Sequence, residues 1–144
     1  MIYHEGVEVA RAERSGDPLT VAVLDIDHFK AYNDHFGQAA GDRLLPSSGA
    51  RWAANVRVVD LLAWIRGGEF GLLLPGSTGD DGLETLRRLS AATHELRSFS
   101  AGLAEWAPDE TGAEVVARAD GHERTRRARR SARAGERLAP QTMT

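Results

Sequence analysis

Asp25 and Asp27 stand one residue apart at the end of the apolar run Leu19-Thr20-Val21-Ala22-Val23-Leu24. A β-branched apolar run of this length predicts a buried strand. Side chains two apart on a strand share a face, so the two carboxylates project together where the strand runs out. Paired carboxylates at the mouth of a sheet suit Mg²⁺, a hard cation that takes oxygen ligands and travels with phosphates. The plainer reading is that an Asp-x-Asp pair only ends the strand, and the residues that follow must decide between them.

The elements that would position this strand end are legible in outline. Residues 2–15 are weakly helical up to the turn Ser15-Gly16-Asp17-Pro18, and strand one follows at 19–25. A loop carries His28 to Gly41. A helix is predicted from Asp42, with Leu44, Leu45, Trp52, Ala53 and Val56 for its apolar face. Pro46 and Gly49 predict a break or kink within it, since a mid-helix proline costs about 3 kcal/mol. Val58–Ile65 and Phe70–Leu74 read as strands joined by Arg66-Gly67-Gly68-Glu69, a hairpin in which both glycines accept positive φ. Asp81-Gly82-Leu83-Glu84 resembles a capping box opening a helix to Leu96, with Leu83, Leu86 and Leu89 on one stripe. Ser98–Ala104 reads as a fourth core strand. Thr111-Gly112-Ala113-Glu114 is a second capping box, before a final helix that soon turns polar. The order β-α-β-β-α-β-α predicts an α+β fold, palm-like or ferredoxin-like, with a central mixed sheet, an antiparallel hairpin and flanking helices.

Bulk properties narrow the function classes. The chain has 144 residues, no cysteine and ordinary hydrophobic and charged fractions (42% and 27%), so disulfides and thiolate metal sites are excluded. Its organisation reads as an N-terminal helix and linker over 1–17, one domain over 18–138 and a disordered tail over 139–144. The longest apolar run, Leu61–Ile65, is too short to span a bilayer, and residues 1–6 lack a signal-peptide pattern. A cytoplasmic domain without membrane contact is the expectation. The net charge of −3 hides an acidic body and a basic C-terminal stretch, Arg118–Arg137. No aromatic residue follows Trp106, so the basic stretch has no stacking platform and DNA is not an expected partner. A solvated Arg-rich helix, or one docking an acidic protein partner, fits it better.

Asp25-Ile26-Asp27-His28-Phe29-Lys30 is followed by Asn33-Asp34, Gly37 and Gly41-Asp42. Then come Arg57-Val58-Val59-Asp60, Arg66-Gly67-Gly68-Glu69-Phe70, Phe99-Ser100-Ala101-Gly102-Leu103-Ala104 and Ala119-Asp120. In this order and spacing, residues 18–120 resemble the GGDEF domain of diguanylate cyclases, which join two GTP into cyclic di-GMP. The resemblance implies metal at Asp25 and the Ile26 carbonyl, with Mg²⁺ accompanying any bound GTP. It places guanine readers at Asn33 and Asp42; an amide and a carboxylate together match guanine's mixed edge. Phe29, Lys30 and Gly67 fall in the nucleotide loops, and Arg127 on a phosphate-binding position of the last helix. Taken singly, Asn33 and Asp42 read equally as caps of a turn and a helix.

The chain departs from that pattern at the hairpin. Without a gap, Arg66 stands at the first glycine and Gly68 at the acid that is the family's second metal carboxylate; Glu69 and Phe70 match. A one-residue slip, needing a bulge in the preceding strand, makes Glu69 that acid and the catalytic residue of an active enzyme. Arg57 and Asp60 occupy the family's inhibitory site for cyclic di-GMP, where Arg can contact guanine bidentately; otherwise they are a surface ion pair of little value. Three functions remain open on these residues. One is a degenerate domain binding cyclic di-GMP or GTP, another an active homodimeric cyclase, and the third an interaction module using the Arg-rich helix.

Overall fold

The computed structural model describes residues 2–93 and 97–138, leaving aside the side chains of residues 2, 3, 127 and 129–138. The elements are α1 (Ile2–Ser15), β1 (Leu19–Ile26), α2 (Phe29–Phe36), α3 (Gln38–Ala53), β2 (Leu61–Arg66), β3 (Glu69–Pro75), α4 (Gly79–Ala92), β4 (Phe99–Glu105) and α5 (Gly112–Leu138). The fold is α+β, as the sequence predicts. Its four strands lie in the order β2-β3-β1-β4, and every pairing is antiparallel rather than mixed. The crossover through α2 and α3 leaves β1 and β2 pointing the same way, but β3 inserts between them, so no parallel neighbours form.

β1 is central, and its alternation feeds two cores. Leu19, Val21 and Val23 pack with Val9 and Ala12 of α1, Leu73 of β3, and Val115 and Ala119 of α5. Ala22, Leu24 and Ile26 pack on the other face with Leu44 and Trp52 of α3, Phe70, Leu72 and Leu74 of β3, and Leu86 and Leu89 of α4. Buried on both faces, β1 reads as an almost unbroken apolar run. By the same alternation Asp25 emerges on the α5 face, at the one point where β1 is no longer fully covered.

Four local predictions are corrected. The loop predicted over 28–41 contains α2, and α3 starts at Gln38, four residues ahead of Asp42. α3 also runs unbroken through Pro46. Its buried residues Ala40, Leu44, Ser48 and Trp52 recur every four positions, while Pro46 faces solvent. Trp52, wholly buried, meets Phe70 and Phe99 edge-on at centroid distances of 5.0 and 5.2 Å. Fully burying so large an aromatic outweighs the missing hydrogen bond of one proline.

β2 begins at Leu61, not Val58, because Arg57–Asp60 closes a turn (Asp60 N–H to Arg57 O, 3.0 Å) that leaves Val58 and Val59 exposed. The cap of α4 is Thr78 with Asp81, one turn before the predicted box: Asp81 N–H donates to the Thr78 hydroxyl at 3.2 Å, and Thr78 N–H to the Asp81 carboxylate at 3.0 Å. That reciprocal pair holds the Asp81 carboxyl below its ordinary range. The Thr111–Glu114 box forms as predicted. The end of the α4 prediction at Leu96 and the tail over 139–144 lie outside the described residues.

Candidate functional site

Cross-strand register assembles a polar row at one end of the sheet. Arg66 of β2 is paired with Glu69 of β3, Glu69 with Asp25 of β1, and Asp25 with Ser100 of β4. Directly opposed residues share a face, so Arg66, Glu69, Asp25 and Ser100 form one line across four strands. β2 joins this line only through an irregularity between Trp64 and Arg66, where Ile65 is the extra residue. Trp64, opposite Phe70, belongs to the α3 face; the bulge turns Arg66 to the α5 face beside Glu69. This is the bulge that a slipped hairpin requires.

The two glycines of the hairpin have different tasks. Gly67 takes a left-handed φ of +49°, while Gly68 is absent from the positive-φ positions. What Gly68 supplies is room. A Cβ there would lie 2.9 Å from Phe29 Cβ and 3.3 Å from Ile26 Cβ. The space for an acid at position 68 is filled by Phe29, whose ring packs on the core under the hairpin.

Asp25 and Asp27 do leave β1 on one face, but their environments diverge. Both carboxylate oxygens of the buried Asp27 accept serine hydroxyls, Ser98 at 2.7 Å and Ser100 at 2.6 Å. Asp27 is thereby an anchor between the β1–α2 loop and β4. Burial pushes the Glu69 carboxyl up, and the nearby Asp120 and Asp25 carboxylates push it further, against Arg66 and Arg124. Asp120 and Arg124 come from α5, where they pair with each other at 3.0 Å.

The nucleotide-reading candidates are also brought close to one another. His28, with φ +56°, turns the chain from β1 into α2 without a side-chain cap, leaving the first-turn amides of α2 uncapped by that side chain. Lys30 is exposed on that turn. Asn33 lies against Gly41: a Cβ on Gly41 would land on Asn33 Oδ1. That oxygen is buried and has no hydrogen-bond partner among the described residues. Asp42, next in the chain, is exposed beside it. A buried acceptor without a partner, next to an exposed carboxylate, is an arrangement able to accept donors from a ligand. The backbone of Arg127 is helical in α5, but its side chain lies outside the described residues.

The donors available to a divalent ion are the Asp25 carboxylate, the Ile26 carbonyl and the Glu69 carboxylate. Among the described residues no group of three or more acidic or imidazole side chains comes together to hold a metal. The place for an acid at 68 is filled, and a guanidinium stands beside Glu69. Two carboxylates and a carbonyl are oxygen donors of the kind Mg²⁺ takes, but the Arg66 guanidinium acting on Glu69 disfavours a second cation beside it.

Arg57 and Asp60 lie at the far end of β2, about 20 Å from the hairpin. Arg57 Nη2 donates to Asp60 Oδ1 at 2.8 Å, to the Pro75 carbonyl at 2.7 Å and to the Ser77 hydroxyl at 3.0 Å. Its backbone N–H also donates to Asp60 Oδ2 at 2.7 Å. The Asp60 side chain is only 1% exposed, so the pair is more than a surface contact. Beside it opens a cleft of about 530 Å³, whose lining includes Arg11, Arg14, Asp17, Val59 and Pro75. Arg11, which pairs with Glu8 of the same lining at 3.1 Å, and Arg14 are not among the residues the sequence singles out; their i, i+3 spacing on α1 was the available signal.

A family model described as the diguanylate cyclase GGDEF domain matches residues 6–133. The chain is 39% identical to the diguanylate cyclase DgcP of Pseudomonas aeruginosa, over an alignment of 123 residues covering 78% of this chain and 18% of that protein. The crystal structure of the GGDEF domain of DgcB from Caulobacter crescentus, in complex with c-di-GMP, superposes with a TM-score of 0.83 at 26% identity. It covers 88% of this chain and 81% of that one. The diguanylate cyclase SiaD of Pseudomonas aeruginosa, crystallised with its activator SiaC, gives 0.84 at 30% identity, covering 90% and 53%. The chain thus spans about a fifth of the length of the curated relative and most of a GGDEF domain, and by sequence and fold alike it belongs to the diguanylate cyclase GGDEF domain family.

Proposed function

We propose that this chain is a degenerate GGDEF domain that binds cyclic di-GMP or GTP with weak or no catalysis. The observation that carries this reading is Gly68, with Phe29 packed into the space an acid would need. Asn33, Asp42 and the first turn of α2 retain the parts of a guanine-nucleotide pocket. The Arg57–Asp60 pair, beside a cleft with Arg11 and Arg14 in its lining, supports binding of cyclic di-GMP, whose two phosphates and guanine edges suit guanidinium groups. The complex of the DgcB GGDEF domain with c-di-GMP supports the same ligand class. A cytoplasmic setting belongs to this reading; among the described residues no helix is long and apolar enough to cross a membrane.

Two assays test it. Incubation with GTP and Mg²⁺ is expected to yield no cyclic di-GMP by chromatography. Calorimetric titration with cyclic di-GMP is expected to show binding that Arg57→Ala removes and Arg57→Lys, which keeps charge without the planar fork, weakens. Because Arg57 also ties Pro75 and Ser77, each variant is checked for an intact melting transition. No heat with the intact chain would end the receptor reading.

The bulge at Ile65 favours a second reading, an active homodimeric cyclase in which Glu69 beside Asp25 serves as the missing acid. Robust cyclic di-GMP formation that disappears in both Asp25→Ala and Glu69→Gln would establish it.

A further inference from the structure

The hairpin has exchanged charges as well as lost one. Position 68 carries no acid, and position 66 carries a guanidinium that the Ile65 bulge turns to the α5 face, in line with Glu69 and Asp25. Arg66 is exposed, and among the described residues its side chain makes no hydrogen bond or ion pair. Its positive charge acts on Glu69 from across the hairpin. Lys30 is exposed on the first turn of α2, whose N–H groups follow directly from the loop under the same hairpin. Ile26 N–H donates to the Gly68 carbonyl at 2.9 Å, so hairpin and loop are fastened together.

A divalent ion at a phosphate site does two things: it offsets anionic charge and it bridges oxygens of ligand and protein. Here a guanidinium already stands beside the two carboxylates and competes with that ion for the place. An unpaired guanidinium fits the first task without it, because its fork of N–H donors contacts phosphate oxygens directly. We propose that Arg66 replaces the divalent cation at this hairpin, so that the chain binds the phosphates of a guanine nucleotide in the absence of metal. The inference rests on the guanine-nucleotide reading of Asn33 and Asp42, and it extends that reading to how the phosphates are held. It also accounts for two departures at once. A metal-free phosphate site has no use for an acid at 68, and it needs a cation near the place where the ion would stand. Binding without metal retains the ligand and forgoes the activation of a 3′-hydroxyl, so recognition and catalysis separate at this site.

The test is calorimetric titration of GTP into the intact chain, once in EDTA and once in Mg²⁺, repeated with Arg66→Ala and Arg66→Lys. Position 66 is exposed at a strand end, so both variants are expected to melt as the parent does. The intact chain is expected to bind GTP with affinities that agree within about threefold in the two buffers. Arg66→Ala is expected to lose about tenfold or more in EDTA, and Arg66→Lys to lose less. GTP binding by the intact chain that requires Mg²⁺ would overturn the proposal while leaving the nucleotide site standing. Arg66→Ala binding GTP in EDTA as tightly as the parent would overturn it as well. Absence of GTP binding in both buffers would remove the nucleotide reading and this inference together, whatever the titration with cyclic di-GMP shows.

Discussion

On the degenerate reading proposed above, Gly68 is the residue that withholds catalysis, and the obstacle to reversing it is steric as well as chemical. Its Cβ position faces Phe29 Cβ, an atom held close to the backbone of α2 and unable to swing aside like the tip of a long side chain. Gly68→Asp is therefore expected to destabilise the chain by about 1–3 kcal/mol, as overpacking does. It is also expected to restore no cyclase activity by itself. Urea denaturation and product chromatography on the same sample check both outcomes. At the other end of β2, Arg57 is the ion-pair partner of Asp60, and removing it leaves that nearly buried side chain without its guanidinium. Asn33 and Gly41 make the complementary point: a glycine precedes Asp42 because the Asn33 amide already occupies its side-chain space.

At the scale of elements, α3 and α5 show how packing overrules local preference. Pro46 contributes no N–H to the α3 ladder, yet the helix persists because Leu44 and Trp52 are locked into the core on either side. Pro46→Ala restores one backbone hydrogen bond at an exposed position, and it is expected to stabilise the chain by up to about 3 kcal/mol in thermal or urea unfolding. α5 lies directly on β4 at Gly102, where a Cβ would land on the helix backbone at Ala119 and Glu123. Gly102→Ala must push the helix off the sheet, and a loss of about 3 kcal/mol or more is expected. Because Asp120 and Arg124 ride on that helix, the same substitution disturbs the charge balance around Glu69. The element that closes one core also shapes the site.

For the molecule as a whole, one buried carboxyl, that of Glu5, bears on the response to pH. Glu5 is buried where α1 meets the start of α5 at Gly112, and its Oε2 has no hydrogen-bond partner among the described residues. Burial holds its carboxyl above the ordinary range. The folded state thus binds this proton more tightly than the unfolded chain does. Its contribution to stability is intact below the unfolded carboxyl value of about 4.3 and declines as pH rises through the folded value. Glu5→Gln is expected to be more stable than the parent at neutral pH, with the advantage vanishing near pH 4. Urea midpoints at the two pH values decide this, and equal midpoints at neutral pH would show that Glu5 finds a partner in solution.

The sequence alone determined the elements whose signals are local or periodic. β1, the Gly67-Gly68 turn, the Thr111 cap and the α+β order all follow from side-chain alternation, turn chemistry and capping. The spacing from Asp25 through Asn33 to Asp42 pointed to the family, because those residues form a pattern within a short stretch of chain. Other features needed the tertiary structure, since each depends on contacts between residues distant in sequence. The continuity of α3 across Pro46 rests on Trp52 meeting Phe70 and Phe99. The antiparallel sheet rests on β3 inserting between β1 and β2. The alignment of Arg66 with Glu69 and Asp25 rests on a single extra residue, Ile65, and a bulge forms only where two strands must be reconciled with a third. Spacing pointed to candidate residues; packing decided that Phe29 fills the space beside Gly68 and that a guanidinium stands at the rim.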